Sequence, residues 1–300
     1  MNLQEASPLS SAASPYRISS YEDSFRIYEL TDSSTESRVL VCPERGGIVI
    51  GCQLGGKELL YLDRATFLDP AANIRGGIPI LFPICGQLVG GQYEWEGETY
   101  KMRNHGVART SAWEVIEESA EGGASLTLGL KSNEETRASY PFDFELRFTY
   151  RLTEGKLSIE QSYRNLSDRG MPVQTGFHPY FATGENKKLR YSSDATKYLD
   201  YNDNAVKPFQ GEVDLSALVE SVALLDARTA SVSFPLGEEG TVRLDYSPEF
   251  DKVVLWSVQG KPFVCVEPWT ALNEALNHKE GLRILNPQEE WKLDFAISYS

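Results

Sequence analysis

The chain has 300 residues, 41% hydrophobic and 24% charged, which is the composition of an ordinary globular protein able to bury a large core. Asp and Glu number 43 against 29 Lys and Arg, a formal charge of −14. So acidic a surface argues against nucleic acid or an anionic membrane as partner, but leaves room for one small anion in a local arginine pocket.

The Ser/Ala/Pro-rich start, residues 1–15, reads as a flexible tail, and residues 16–300 read as a single domain. The start has no basic segment followed by an apolar run. No stretch approaches the roughly 18 apolar residues that span a bilayer. A cytoplasmic location is therefore expected. Cys42, Cys52, Cys85 and Cys265 lie scattered in apolar runs with no C-x-x-C pair, which predicts buried free thiols in a reducing compartment.

After the tail, short alternating runs follow one another: "SFRIYEL", "SRVLVCP", "GIVIGCQL" and "ELLYLD". "NIRGGIPILFPICG" (73–86) interrupts them. Its paired glycines suit positive φ or a close backbone approach, and Arg75 beside them could bind an oxygen-rich ligand or simply face solvent. In "NHGVAR" (104–109), His105 and Arg109 are expected to share a face by the period of two. Asn, His and Arg together suit sugar hydroxyls, a carboxylate or a phosphate.

"FELRFTYRLTEGKLSIEQSYRN" is the clearest hairpin. Phe144, Leu146, Phe148, Tyr150 and Leu152 form one face, Glu154-Gly155 turns, and Leu157, Ile159, Gln161 and Tyr163 resume the alternation. "TGFHPYF" (175–181) then sets His178 before a proline and among Phe177, Tyr180 and Phe181. Short helices are expected over 216–225 and 270–278. "TVRLDY", "KVVLWSV", "FVCVEPW" and "WKLDFAISYS" read as further strands. In "FVCVEPWT", Glu267 ends an apolar strand, where a carboxylate is costly unless paired or in use, and Trp269 offers a flat apolar face. Strands at about ten-residue spacing with no βαβ rhythm predict an all-β fold, a large antiparallel β-sandwich with few short helices.

Acidic clusters of metal-binding spacing, a G-x-S-x-G motif and a glycine-rich loop before a helix are all missing from the sequence. Metal, serine-hydrolase and dinucleotide chemistry thus lack their parts. An imidazole and a carboxylate suited to proton transfer are left.

Taken in order, "RGGIP…FP", "NHGVAR", "GFHPYF" and "VEPW" resemble the aldose 1-epimerases (mutarotases) and their hexose-6-phosphate relatives, from about residue 25 to the C-terminus. The resemblance implies the β-sandwich of the galactose mutarotase type, the supersandwich. It also implies a reaction without cofactor or metal that interconverts sugar anomers by ring opening and reclosure. By resemblance His178 is the general acid on the ring oxygen and Glu267 the general base on the C1 hydroxyl. His105 is the second histidine near the reacting oxygens, and Arg75 reads hydroxyls. Asn73, Tyr180 and Trp269 are candidate lining residues.

"RGGIP" and "HG-x-AR" look more like the hexose-6-phosphate epimerases, where Arg75 and Arg109 would hold a phosphate. "FHPYF" and "EPW" look more like epimerases of free sugars. Asp200 and Asp203 in "YLDYNDN" are candidates for an acidic hydroxyl-binding residue that some members carry. The expected partner is a small sugar or sugar phosphate, and the expected state a monomer or weak homodimer. A non-catalytic sugar-binding sandwich is the rival from another class. A glycosidase fits less well, because that chemistry wants two carboxylates and only Glu267 is nominated.

Overall fold

Alternation sets the scaffold. The strands Phe144–Thr153 and Lys156–Asn165 pair antiparallel from Phe144↔Asn165 to Thr153↔Lys156. Glu154 and Gly155 between them both have positive φ (51° and 70°), the backbone of a two-residue turn whose twist matches the strands it joins. Every second residue of both strands is buried. This hairpin forms the middle of a seven-stranded sheet that also holds the C-terminal strand Glu290–Tyr299.

The computed structural model describes residues 14–238 and 240–300, so the tail expected over residues 1–15 lies outside it except for its last two residues. Three larger antiparallel sheets carry the fold. A five-stranded sheet runs from Tyr16 to Glu58 in simple meander order. The seven-stranded sheet packs across an aromatic interior from an eight-stranded one. Phe177 of the latter stacks on Phe295 of the former with centroids 4.6 Å apart, and lies edge-on to Phe148 at 6.1 Å. Such contacts add about 0.5–1.5 kcal/mol each beyond the burial itself. A single buried cluster includes Val41 of the first sheet, Phe148 of the second and Val266 of the third. The large antiparallel sandwich with few short helices read from the sequence is the observed architecture.

The two expected helices come out differently. Residues 216–221 form turns and Val222–Leu224 is a strand, fully buried between Lys197–Asp200 and Lys252–Trp256. An apolar run bounded by turn residues has the same periodicity whether it is a buried strand or a helix, and the neighbouring strands decided it. Of 270–278 only Ala275–His278 is helical, because Thr270 still donates its backbone N–H to Thr175 across the sheet. The other two helices among the described residues, Arg64–Leu68 and Glu134–Ser139, went unread in the sequence. All four cysteines are buried and free. Among the described residues no helix is long and apolar enough to cross a membrane.

Candidate active site

The eight-stranded sheet builds the site by register. Gly176 pairs with Trp269 and Tyr180 with Cys265, so Glu267 stands opposite His178 across the interruption between them. Pro179, with no N–H to give, sits at that interruption. His178 and Tyr180 anchor their own backbone N–H groups on the carbonyls of Pro79 and Gly77, tying "GFHPYF" to "RGGIP". On the far side of Glu267 its partner is Val254, and Trp256 pairs with Cys265. Because strand side chains alternate, Trp256, Glu267, Trp269, His178 and Tyr180 all emerge on one face. Phe177, Val264 and Val266 go to the core.

That face floors a cleft of about 260 Å³. Its lining brings together eight of the ten residues singled out in the sequence: Asn73, Arg75, His105, Arg109, His178, Tyr180, Glu267 and Trp269. Asn73 and Arg75 are exposed at the rim, whereas His178 and Glu267 are 5% and 1% exposed. His178 Nε2 faces Glu267 Oε2 at 3.5 Å, opposed but not bonded. Glu267 Oε2 and His178 Nδ1 have no hydrogen-bond partner in the protein.

Burial holds the Glu267 carboxyl well above the usual carboxylate range, against a smaller opposing pull from the Trp269 indole and the Arg109 guanidinium. The Trp269 N–H leans toward that carboxylate without reaching hydrogen-bond geometry. Burial likewise holds the His178 imidazole well below its ordinary value, with His105 and Arg109 adding to the effect. His105 is pushed down in the same way by burial and by Arg109. Its Nδ1 accepts the backbone N–H of Gly86 at 3.0 Å, which places the proton of the neutral ring on Nε2. His178 stacks on Tyr180 (4.7 Å, 10°) and meets His105 and Trp256 edge-on.

Several sequence readings change here. "NHGVAR" is neither strand nor open loop. His105 has φ 66°, Gly106 φ 77°, and Ala108–Thr110 is a turn of 3₁₀ helix, so the period of two does not relate His105 to Arg109. A Cβ on Gly106 would meet the Phe82 carbonyl oxygen at 2.2 Å, so only glycine fits. The glycine pair 76–77 approaches the backbone of Leu62 and of Val49 in the first sheet rather than a ligand. Arg109 is half-buried, donating to the Ile74 carbonyl at 3.3 Å, and burial lowers its pKa while Tyr180 and Glu267 oppose that. Trp269, 3% exposed, lines the cleft and also packs with Leu81, Cys85, Ala223 and Val254.

Asp200 and Asp203 are not in the lining. Both bind Lys207, at 2.6 and 2.7 Å. The carboxylate that does line the cleft between His178 and Glu267 in the chain is Glu220, in the turn misread as helix. Asn202 holds that turn: its Oδ1 accepts from the N–H groups of Val219 and Glu220, and its Nδ2 donates to the Glu220 carbonyl. Asp200 in turn accepts from Asn202. Trp256, also missed, donates its indole N–H to the Val219 carbonyl and lies beneath the Arg75 guanidinium at 5.5 Å. Its strand was legible; its place on the Glu267 face needed the register.

Comparison with known proteins gives a match to the aldose 1-epimerase family over residues 27–298. The solved structure of the Slr1438 protein from Synechocystis sp. PCC 6803 is 34% identical, with 97% of this chain and 99% of that chain covered and a TM-score of 0.87. A galactose mutarotase related enzyme from Lactobacillus acidophilus is 26% identical over 95% and 97% of the two chains, with a TM-score of 0.74. A protein of Cenchrus ciliaris named "Putative glucose-6-phosphate 1-epimerase" is 27% identical over 270 residues, 81% of this chain and 75% of that one.

Proposed function

The chain belongs to the aldose 1-epimerase family, and we propose that it interconverts the α and β anomers of an aldohexose by acid–base ring opening and reclosure. The observation that carries this reading is the opposition of His178 and Glu267 across 3.5 Å, both buried at the floor of an open cleft. In the proposed reaction His178 delivers a proton to the ring oxygen while Glu267 removes the proton of the C1 hydroxyl. The hemiacetal C1–O bond breaks, the aldehyde turns about C1–C2, and reclosure on the other face returns both protons. A well-placed acid and base each contribute on the order of 10²–10⁴ in rate, enough for a reaction that already proceeds slowly in water.

His105, with its proton on Nε2, donates to the oxygen on which charge develops. Arg109 steadies the carboxylate form of Glu267 from below. Glu220, Asn73 and Arg75 at the rim accept from and donate to the ring hydroxyls. With Arg109 half-buried and its guanidinium engaged by the Ile74 carbonyl, a free aldose is the first substrate to expect. The second reading, a hexose 6-phosphate, rests on Arg75, whose exposed guanidinium is anchored over Trp256 at the mouth.

Polarimetry on α-D-glucose and α-D-galactose, with NMR exchange for glucose 6-phosphate, tests the proposal. Glu267→Gln and His178→Asn are each expected to fold and to lose at least about a hundredfold in kcat. Near-normal turnover in either variant would overturn its role. A folded wild-type protein that binds sugars and accelerates none of them would be a binding sandwich instead. Arg75→Ala separates the substrates: a phosphate held there loses about 1.5–3 kcal/mol of binding, whereas equal losses for both sugars count against the 6-phosphate.

A further inference from the structure

We infer that His178, Cys265 and Glu267 form a binding site for a thiophilic divalent cation such as zinc, and that the ion, by occupying the proposed acid and base, stops anomer exchange. Only the inhibition rests on the proposed reaction; the binding site stands on the three side chains.

Imidazole nitrogen, thiolate and carboxylate are the ligand types zinc takes from proteins. One ligand atom from each of these residues lies within 4.8 Å of the other two, the one such gathering of three or more found among the described residues. Register explains it. Cys265 and Glu267 are two apart on one strand and so share a face, and the interrupted strand sets His178 opposite Glu267 and Tyr180 opposite Cys265. The 3.5 Å between His178 Nε2 and Glu267 Oε2 already matches the spacing of two ligands around one ion. Tetrahedral zinc with bonds of about 2.0–2.3 Å separates its ligands by roughly 3.3–3.8 Å.

All three residues are buried, and Glu267 Oε2 has no partner in the protein. As the ion binds, the Cys265 thiol proton and the proton that burial favours on Glu267 leave to solvent. The resulting thiolate and the carboxylate together cancel the charge of a divalent ion, so that no net charge is buried. A fourth position faces the cleft and is left to water, as in zinc sites with three protein ligands. Arg109, near enough to act on the Glu267 carboxylate, opposes the cation, which makes this a reversible inhibitory site weaker than a closed four-ligand one. The separation of the three residues in the chain hides the site from any spacing motif.

Titration of the full chain, freed of metal, with cadmium is expected to raise an ultraviolet cadmium–thiolate charge-transfer band at one ion per protein, and zinc is expected to displace it. In the anomer-exchange assay zinc is expected to inhibit, with activity restored by chelation. Cys265→Ser should keep its turnover, lose the band and need at least tenfold more zinc for the same inhibition, on the order of what a disturbed zinc ligand costs. Cys85→Ser should keep the band. If Cys265→Ser fails to fold, Cys265→Ala and His178→Asn read the same loss of cadmium affinity. Absence of the band in the wild type, or its persistence without Cys265, overturns the site. Cadmium bound through Cys265 in a protein that exchanges no anomers upholds the site and overturns the proposed function instead.

Discussion

Two pKa values displaced in opposite directions across one gap govern the proposed chemistry at the scale of residues. Burial raises Glu267 and lowers His178, so both shifts favour a neutral pair, a protonated Glu267 carboxyl beside an unprotonated His178 imidazole. That is the arrangement reached on ring opening in the proposed mechanism, when Glu267 has taken the C1 hydroxyl proton and His178 has given its own away. Lowering the pH adds a second proton, on His178, and does so below the ordinary 6.5. Raising it strips Glu267, well above the ordinary 4.5. The kcat/KM profile is therefore expected to be bell-shaped, with its acid limb below 6.5 and its basic limb well above 4.5. An acid limb centred above 6.5, measured by NMR exchange, would contradict the assignment. Both residues were legible in the sequence because their settings are odd for their types: a histidine between aromatics and a proline, a glutamate closing an apolar strand. Their opposition was not, since it follows from the register of strands distant in the chain. Glu220 gave no signal at all; one carboxylate among 43 acidic residues looks like any solvated side chain.

At the scale of elements, the strands were readable wherever one face is buried, as in the Phe144–Asn165 hairpin, because alternation is then imposed by solvent. Reading failed where both faces are buried, as at Val222–Leu224, or where backbone conformation is set by contact, as at His105 and Gly106. "YLDYNDN" belongs to the second kind. Its aspartates were read as ligand-binding groups, yet the motif braces the wall that carries Glu220, through Asn202. Asn202 touches nothing in the cleft, so Asn202→Ala is expected to loosen sugar binding and leave the chemical step alone. A rise in KM of about two- to thirteenfold follows if one hydrogen bond's worth of ordering, about 0.5–1.5 kcal/mol, is lost from the wall. With kcat held within about twofold, that split marks a positioning role. Steady-state kinetics on the preferred aldose decide it, and an unchanged KM would mean the turn keeps its shape without Asn202.

Across the whole molecule, the cleft is rigid because its floor is the outer face of a sheet whose inner face is welded to a second sheet. Along the strand leading into the interruption, Phe177 points inward to Phe295 and Phe148 while His178 points outward to Glu267. The aromatic residues of the seam are thus also what back the strand that carries His178. The division of labour can be tested at Phe295, which is fully buried and contributes nothing to the cleft lining. Phe295→Ala removes a ring from the seam and leaves a cavity, at a cost of about 3–5 kcal/mol. That is a large fraction of the roughly 5–15 kcal/mol by which a domain is stable. Urea unfolding should show the midpoint falling with little change in slope. Turnover per folded molecule at low temperature should stay near the wild-type rate, the reverse of what Glu267→Gln does. Loss of activity in proportion greater than the loss of folded protein would show that the seam sets the geometry of the acid and base as well as the stability of the sheets.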